Sequence, residues 1–247
     1  MYFKYVYAII NYNRYFRLST EGFFNSPVYT IPYKDISAAV SDIPSRSIPV
    51  NRENLWLHET IVEYLFNEYT ILPMRFSSIW PSEEAVINMM RKYYDNFYRN
   101  LKNLNYKVEM GVKILWPVEE ILSSMKIKNL KLLELESKIK NTKANNYLQE
   151  KMKDYLVNEA LKERAQILTN NIQEYLTTFV ESKKSHVMVT RKMMLNGVYL
   201  LNKNSVDGFK HQVQIIKKKY PYLKFLVSGP WPPYNFIKIN SVSGLEV

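Results

Sequence analysis

A proline-rich stretch decides how the second half of the chain can fold. It reads Gly229-Pro230-Trp231-Pro232-Pro233-Tyr234-Asn235-Phe236 and follows directly on the apolar residues Phe225-Leu226-Val227. Proline has no backbone N–H and a fixed φ, so this stretch cannot form a helix or a central strand. It is therefore predicted to be an extended, kinked arm. Its large aromatic side chains pack either on the protein itself or on a partner.

The composition is that of a globular protein. The chain has 247 residues, of which 47% are hydrophobic and 23% charged, enough for one large or two ordinary domains. It contains no cysteine, which excludes disulfides, thiolate metal sites and cysteine nucleophiles. No uncharged apolar run is long enough to cross a bilayer, and the apolar run at residues 6–10 is too short for a signal sequence. We therefore expect a cytoplasmic protein with no membrane partner.

The positive charge is concentrated near the C-terminal end. The formal net charge is +11, and residues 185–247 contain nine Lys or Arg side chains against Asp207 and Glu246. Such a basic patch attracts nucleic acid, anionic membrane or acidic protein partners. The alternative is a solvated surface that only aids solubility.

The first 104 residues are predicted to form an α+β domain with a small sheet. Alternating residues predict strands over 3–10, 28–31, 36–41 and 71–76, the first of them with Phe3, Tyr5 and Tyr7 on one face. Apolar residues at three- and four-residue steps predict helices over 52–69 and 82–104. Ser82 is the expected N-cap of the second helix, with Glu83 and Glu84 in its first turn.

Residues 105–247 are predicted to form a second domain. The predicted elements are a strand over 106–116, long helices over 118–182, strands over 186–190 and 197–201, a helix over 206–220 and a strand over 225–227. This order is βαββαβ, the split ferredoxin-like arrangement, with the long helices inserted at the first α position. The predicted fold class is thus α+β with two domains. As the exit from the last strand, the arm is expected to be anchored on its own domain by Trp231.

The sequence contains none of the common catalytic motifs. Its six glycines form no G-x-G-x-x-G motif and no P-loop. The three histidines His58, His186 and His211 match no metal-ligand spacing. Glu59 and Glu63 lie four residues apart and could in principle act as an acid/base pair, but a solvated helix face is the better explanation. We therefore expect a non-enzymatic protein with no catalytic residue, no cofactor and no metal.

Arg75 stands out within the predicted strand 71–76. Alternation places Leu72, Met74 and Phe76 on one face and the arginine on the other. The arginine then either reaches solvent, pairs with a carboxylate such as Glu59 or Glu63, or contacts a ligand or partner.

Six motifs, taken in order, resemble the gas vesicle protein F/L family. They are Tyr5-Val6-Tyr7-Ala8-Ile9-Ile10, Asp35-Ile36-Ser37-Ala38-Ala39-Val40-Ser41-Asp42-Ile43-Pro44, His58-Glu59, Ile71-Leu72-Pro73-Met74-Arg75-Phe76, Lys107-Val108-Glu109-Met110-Gly111-Val112-Lys113 and the arm at 229–236. The resemblance runs nearly from end to end. One departure is Ser77, where the family usually has glycine after Leu-Pro-Met-Arg-Phe.

The resemblance implies a function in gas vesicles, the gas-filled protein shells that some bacteria and archaea use for buoyancy. It implies a non-enzymatic assembly factor or minor vesicle component that binds the small hydrophobic shell protein, keeps it soluble in a chaperone-like way and helps to nucleate the shell. Its expected partners are the shell protein and other gas vesicle accessory proteins. The candidate partner-binding residues lie in two of the matching motifs: Met74, Arg75, Phe76, Trp231, Tyr234 and Phe236.

A nucleic-acid-binding module is the alternative hypothesis. The ferredoxin-like order, the basic C-terminal region and the 14% aromatic content are also found in RRM domains. However, the sequence has no RNP-like run with interleaved glycine and aromatic residues. Nucleic acid is therefore not the expected partner.

Overall fold

The structure is a computed structural model that describes residues 2–126 and 143–238. The chain forms two compact units. The first unit contains residues 2–109 together with residues 230–238, and the second contains residues 110–229. That residues 1–104 and 105–247 form separate domains stays a prediction.

The first unit is built on a six-stranded sheet. The strands are β1 (Phe3–Ile10), β2 (Arg17–Glu21), β3 (Pro27–Tyr33), β4 (Ile36–Ile43), β5 (Ile71–Pro73) and β6 (Ile79–Trp80). They are ordered β2-β3-β4-β1-β5, and β6 also pairs with β1. Strand β1 therefore lies inside the sheet, which explains why its residues from Tyr5 to Ile10 are all buried.

A β-bulge in β1 changes which residues share a face. Val6 pairs with Val40 and Ala8 pairs with Ala39, so Tyr7 is an extra residue in the register. As a result Tyr7 and Ala8 both belong to one buried hydrophobic cluster, together with Tyr5 and Ile10. The strand was predicted correctly, but the expected strict alternation of Tyr7 and Ala8 was wrong.

Two helices pack against the first sheet. They are α1 (Arg52–Glu68) and α2 (Glu83–Asn103). The Asn51 side chain caps α1 by accepting the Asn54 N–H at 2.8 Å, and the Ser82 side chain caps α2 by accepting the Ala85 N–H at 3.2 Å. The predicted N-cap is confirmed. The predicted apolar stripe of α2 is also buried. It consists of Val86, Met90, Tyr93, Phe97, Leu101 and Leu104.

The first unit differs from the sequence prediction at its short elements. Strand β5 ends at Pro73 rather than at residue 76, because the chain turns at Ser77, whose φ is 69°. Strands β2 and β6 and the 3-10 turn Phe23–Asn25 were not predicted. These segments are short, and residues 17–21 carry a single buried side chain, so they lack the apolar alternation that marks the longer strands.

The second sheet has four strands. The elements are β7 (Lys107–Leu115), α3 (Val118–Lys126), α4 (Lys143–Leu176), β8 (Ser182–Val187), β9 (Met193–Asn202), α5 (Val206–Lys219) and β10 (Lys224–Trp231). The strand order is β10-β7-β9-β8. Helix α4 packs on α5 and on the β8–β9 hairpin. The predicted interruption of the helical region near residues 126–129 lies largely outside the described residues.

Four boundaries in this part of the chain were predicted wrongly. Helix α4 ends at Leu176, followed by the 3-10 turn Thr177–Phe179, so the predicted helix to residue 182 is too long. The hairpin strands begin at Ser182 and Met193, four residues earlier than predicted. Strand β10 continues through Pro230 to Trp231, which is tolerated because β10 is an edge strand.

Candidate functional site

Helix α1 places His58 inside the first unit, under the loop that follows β5. The His58 Nε2 atom lies 3.1 Å from the Met74 carbonyl oxygen, and its Nδ1 atom lies 2.9 Å from the Tyr5 hydroxyl. A carbonyl oxygen can only accept, so Nε2 carries the proton and donates to Met74. Nδ1 therefore accepts the hydrogen bond of the Tyr5 hydroxyl.

His58 is held in its neutral form. Burial lowers the pKa of His58 from 6.5 to about 4, although the hydrogen bond to the Met74 carbonyl opposes this shift. Burial also raises the pKa of Tyr5, so its hydroxyl stays protonated and continues to donate. The pair is thus a fixed structural connection and not a proton donor or acceptor at neutral pH.

The loop over residues 74–78, which we call the Met-Arg-Phe loop, is fastened by this connection. The Tyr5 hydroxyl accepts the Ser77 N–H at 2.9 Å, and the Tyr7 carbonyl accepts the Met74 N–H at 2.8 Å. The Phe76 ring packs edge-on against the His58 ring, with their centroids 5.9 Å apart. Both ends of the loop are therefore attached to β1, while Arg75 is exposed at its middle.

Residues 232–238, which we call the Pro-Pro-Tyr segment, return to the first unit. The Tyr234 ring packs against the buried cluster of that unit, and its hydroxyl donates to the Glu59 carboxylate at 3.2 Å. Pro232, Pro233 and Phe236 are buried. The segment therefore contributes apolar side chains to the first unit.

Two polar side chains bind the backbone of the Pro-Pro-Tyr segment. The Glu109 carboxylate accepts the Asn235 backbone N–H at 2.9 Å and the Asn235 side-chain amide at 2.7 Å. The Asn100 side chain accepts the Lys238 N–H and donates to the Lys238 carbonyl oxygen, each at 2.8 Å. Asn100 and Glu109 are themselves buried, so the segment satisfies polar groups that would otherwise lack these partners.

The surroundings of the Glu59 carboxylate raise its pKa. Burial raises its pKa, as does repulsion from Glu63, while the hydrogen bond from Tyr234 lowers it. Burial and the neighbouring Glu59 charge together raise the pKa of Tyr234. The phenol therefore remains a hydrogen-bond donor to the carboxylate.

The structure brings two of the sequence motifs to neighbouring residues of α1. His58 binds the Met-Arg-Phe loop and Glu59 binds the Pro-Pro-Tyr segment. The sequence identified both motifs but did not predict that Asn100 and Glu109 bind the segment. The available signal was a lone acidic residue in the apolar strand over 107–115 and an asparagine beside the apolar stripe of α2.

The six candidate partner-binding residues differ in their accessibility. Met74 and Phe236 are buried, Phe76 and Tyr234 are half-buried, and Arg75 and Trp231 are exposed. Trp231 is 47% exposed, so the expectation that it anchors the arm was wrong. Tyr234, Asn235 and Phe236 anchor it instead, because they supply the buried ring and the hydrogen bonds.

The arrangement holds one part of the chain against another through hydrogen bonds. The Glu59 and Glu109 carboxylates accept hydrogen bonds from the Pro-Pro-Tyr segment, and the His58 ring is buried and neutral. Among residues 2–126 and 143–238, His, Asp and Glu side chains form no cluster suited to a metal ion. None of the described helices combines the length and the apolar character that a membrane span requires.

Fold and site together define a class of protein: an α+β protein of two units whose first unit binds a returning proline-rich segment. The chain belongs to the family described as gas vesicle synthesis protein GvpL/GvpF, which matches residues 3–238. Membership in this family implies a role in gas vesicle formation, and the resemblance inferred from the motifs is confirmed.

Individual relatives agree with the family over nearly the whole chain. Gas vesicle protein F1 of Halobacterium salinarum is 25% identical over 240 residues, covering 96% of this chain and 93% of the relative. Gas vesicle protein L of a Streptomyces species is 21% identical over 256 residues, covering 96% and 93%. The chain is thus similar to both F and L proteins.

Solved structures show the same fold. The crystal structure of the gas vesicle protein GvpF from an Anabaena species gives a TM-score of 0.85 at 20% identity, covering 98% of this chain and 100% of that one. GvpF from Microcystis aeruginosa gives a TM-score of 0.80 at 20% identity, covering 96% and 99%. The mixed α and β architecture is therefore shared with these proteins.

Proposed function

We propose that this protein is a non-enzymatic gas vesicle assembly factor or minor vesicle component. It binds the small hydrophobic shell protein in the cytoplasm, keeps it soluble and helps to nucleate the shell. The observation that carries the proposal is the family match over residues 3–238. The site described above supports it, because its side chains bind backbone and aromatic groups of a protein segment.

The need for such a factor follows from the chemistry of a water-excluding wall. A subunit that builds such a wall exposes a large apolar face before assembly, and exposed apolar patches cause aggregation. A binding protein that covers this face would keep the subunit soluble until it joins the shell. Other gas vesicle accessory proteins are further partners under this proposal.

The exposed members of the candidate set are the proposed contacts with the shell protein. Trp231 presents a large aromatic surface at the end of the edge strand β10, and Arg75 lies at the middle of the fastened Met-Arg-Phe loop. Trp and Arg are the residue types that contribute most to binding at protein interfaces. Phe76 and Tyr234 contribute their accessible edges, while Met74 and Phe236 support the two segments from inside.

Co-expression with the shell protein tests the proposal. The chain is expected to co-purify with the shell protein and to increase its soluble fraction. Trp231→Ala is expected to reduce the amount retained roughly tenfold or more, because it removes an exposed aromatic anchor. The stability of this variant should change by less than about 1 kcal/mol, since the side chain is about half exposed.

Tyr98→Ala is the matched control, because Tyr98 is an aromatic residue of similar exposure outside the candidate set. It should retain the shell protein like the unmodified chain. A shell protein that is equally insoluble with and without this chain would overturn the assembly-factor proposal. Equal retention by both variants would overturn only the assignment of Trp231.

We also propose that the second unit is a ferredoxin-like domain with a long helical insertion. The support is the order of its elements, in which β7 is followed by helices, then β8, β9, α5 and β10. The sheet order β10-β7-β9-β8 places the first and third strands of this series side by side in the centre. The helices α3 and α4 occupy the first α position.

The β8–β9 hairpin gives no support to the nucleic-acid alternative. The Tyr199 ring packs on the Phe209 ring of α5, so the neighbouring residues of β9 face the other way. On that other face, the described side chains of β8 and β9 are Ser182, Lys184, His186, Met194, Asn196, Val198, Leu200 and Asn202. They include no Phe, Tyr or Trp, the residues on which RRM domains stack bases.

A further inference from the structure

Helix α1 presents an exposed apolar residue in an acidic setting. The Trp56 side chain is 74% exposed. Glu63 lies two helical turns away on the same face, and Glu53 and Glu59 lie three residues to either side of Trp56. Arg52 lies four residues before Trp56, so the three carboxylates outnumber this cation. We call Trp56 and the three glutamates the acidic face.

The opposite surface of α1 is fully used within the first unit. Ile61, Val62 and Leu65 belong to the buried hydrophobic cluster, and His58 binds the Met-Arg-Phe loop. Trp56 takes no part in that cluster. Packing within the first unit therefore does not account for a tryptophan at this position.

Helix α5 of the second unit presents the reverse combination. Ile215 is 44% exposed, and Lys218 and Lys219 lie three and four residues after it. Such spacing places them beside Ile215 on one helix surface. We call these three residues the basic face.

The basic face is carried by a firmly packed helix. Phe209, Val213 and Ile216 on its other side are buried. The Lys219 ammonium group donates to the Tyr175 hydroxyl of α4 and lies 4.4 Å from the centre of the Tyr175 ring. The surface is therefore presented as a preformed unit, which lowers the entropy cost of binding.

We propose that the acidic face of one copy of this chain binds the basic face of a second copy. Each face has an accessible apolar side chain surrounded by charges, and the charges of the two faces are opposite. Opposite potentials speed association and fix orientation, while the buried apolar pair supplies affinity.

The contact joins two different surfaces, so it is heterologous. When one copy uses its acidic face on a neighbour, its basic face stays available for the next copy. Two or more copies can therefore associate through this contact, either in a closed ring or in an open chain. This behaviour goes beyond binding of the shell protein and does not depend on it.

Sedimentation equilibrium of the full chain tests the proposal. At low ionic strength, the weight-average mass is expected to rise with concentration above the monomer mass. High salt is expected to shift the mass back towards the monomer, because exposed charges are screened. Trp56→Ala is expected to weaken the association roughly tenfold or more, as for a central aromatic anchor.

Charge exchange separates specific contact from general attraction. Glu63→Lys and Lys218→Glu should each weaken the association, and the double variant should restore it, because the pair is again opposite in sign. The double variant Glu163→Lys with Lys203→Glu is the control, because both of these side chains are exposed and lie outside the two faces.

The control double variant should associate like the unmodified chain. A monomer at every concentration and salt condition would overturn the proposal. Failure of the charge exchange to restore association, with both single variants folded, would also overturn it.

Discussion

Ser77 adopts a backbone conformation that suits glycine. Its φ is 69°, in the left-handed region, where a side chain with a Cβ atom is strained. The resemblance to the family pointed to this position, since the family usually has glycine there. The structure supplies the physical reason, because the Met-Arg-Phe loop must turn here for the Ser77 N–H to reach the Tyr5 hydroxyl.

Ser77→Gly is expected to stabilise the first unit. Relief of the left-handed strain, roughly 1–2 kcal/mol, exceeds the extra backbone entropy of glycine, about 0.5–1 kcal/mol. The net gain should therefore be up to about 1 kcal/mol. Urea unfolding midpoints of the two proteins measure it.

The neighbouring serine provides the control. Ser78 has a negative φ, so Ser78→Gly adds entropy to the unfolded chain without relieving strain. It is expected to lose about 0.5–1 kcal/mol. If both glycine variants were destabilised equally, the left-handed backbone of Ser77 would not be strained.

At the scale of elements, α1 is where separate parts of the sequence meet. Its residues His58 and Glu59 contact the Met-Arg-Phe loop and the Pro-Pro-Tyr segment, respectively. The segment has little secondary structure of its own beyond the 3-10 turn Tyr234–Phe236. Its position therefore depends on side chains of α1, α2 and β7 rather than on strand pairing.

Asn100→Ala tests how the end of the Pro-Pro-Tyr segment is held. The substitution removes both hydrogen bonds to the Lys238 backbone and should cost about 1–3 kcal/mol, since each such bond contributes about 0.5–1.5 kcal/mol. Hydrogen exchange of residues 234–238 is expected to become faster, with little change in β1.

Asn96→Ala is the matched control, one helical turn away. The Asn96 side chain accepts a hydrogen bond from Arg99, and the segment contacts are made by Asn100. Exchange in the segment should stay slow in this variant. Unchanged exchange in Asn100→Ala would show that Glu109 and the buried rings hold the segment without the asparagine.

The sequence predicted long, strongly patterned elements well and short ones poorly. Helix α2 was predicted from its N-cap and its apolar stripe, and β7 from an alternation that burial confirms. Strand β8 was misplaced, because its residues Ser182-Lys183-Lys184-Ser185-His186-Val187 are largely exposed and polar. Edge strands lack the buried face that makes alternation visible.

The candidate site was predictable only as motifs. Alternation and composition pointed to residues 71–76 and to the arm at 229–236, but contacts between positions so distant in sequence have no local signature. Glu109 binds Asn235 across 126 positions, and Tyr234 reaches Glu59 across 175. A buried carboxylate in a strand is noticeable in a sequence, whereas its partner is not.

At the scale of the whole molecule, protonation of His58 links pH to stability. Because burial lowers its pKa from 6.5 to about 4, the folded state excludes a proton that the unfolded chain binds between these values. The stabilising contribution is fully present above pH 6.5 and is lost as the pH falls to about 4. The loss should be about 3 kcal/mol.

Tryptophan fluorescence can follow this effect in the first unit alone. The chain has four tryptophans, and in Trp116→Phe the remaining three, Trp56, Trp80 and Trp231, all lie in the first unit. Urea midpoints of this variant should decrease between pH 6.5 and pH 4. Adding His58→Gln should lower the stability at neutral pH and flatten the decrease.

The Glu59 carboxyl contributes in the opposite sense. Burial raises its pKa, so its contribution favours the folded state at low pH and is lost as the pH rises through the raised pKa. The difference in pH dependence between Trp116→Phe and Trp116→Phe/His58→Gln isolates His58, because Glu59 is present in both proteins. Equal pH dependence in the two proteins would contradict the assignment to His58.

The composition of the first unit has a consequence for synthesis of the chain on the ribosome. Residues 2–109 emerge early, but Asn100 and Glu109 form their hydrogen bonds to the segment only when residues 235 and 238 have been made. The nascent chain must therefore carry an incomplete first unit while all of residues 110–229 are translated. Release of the chain before residue 238 would leave the first unit without these hydrogen bonds.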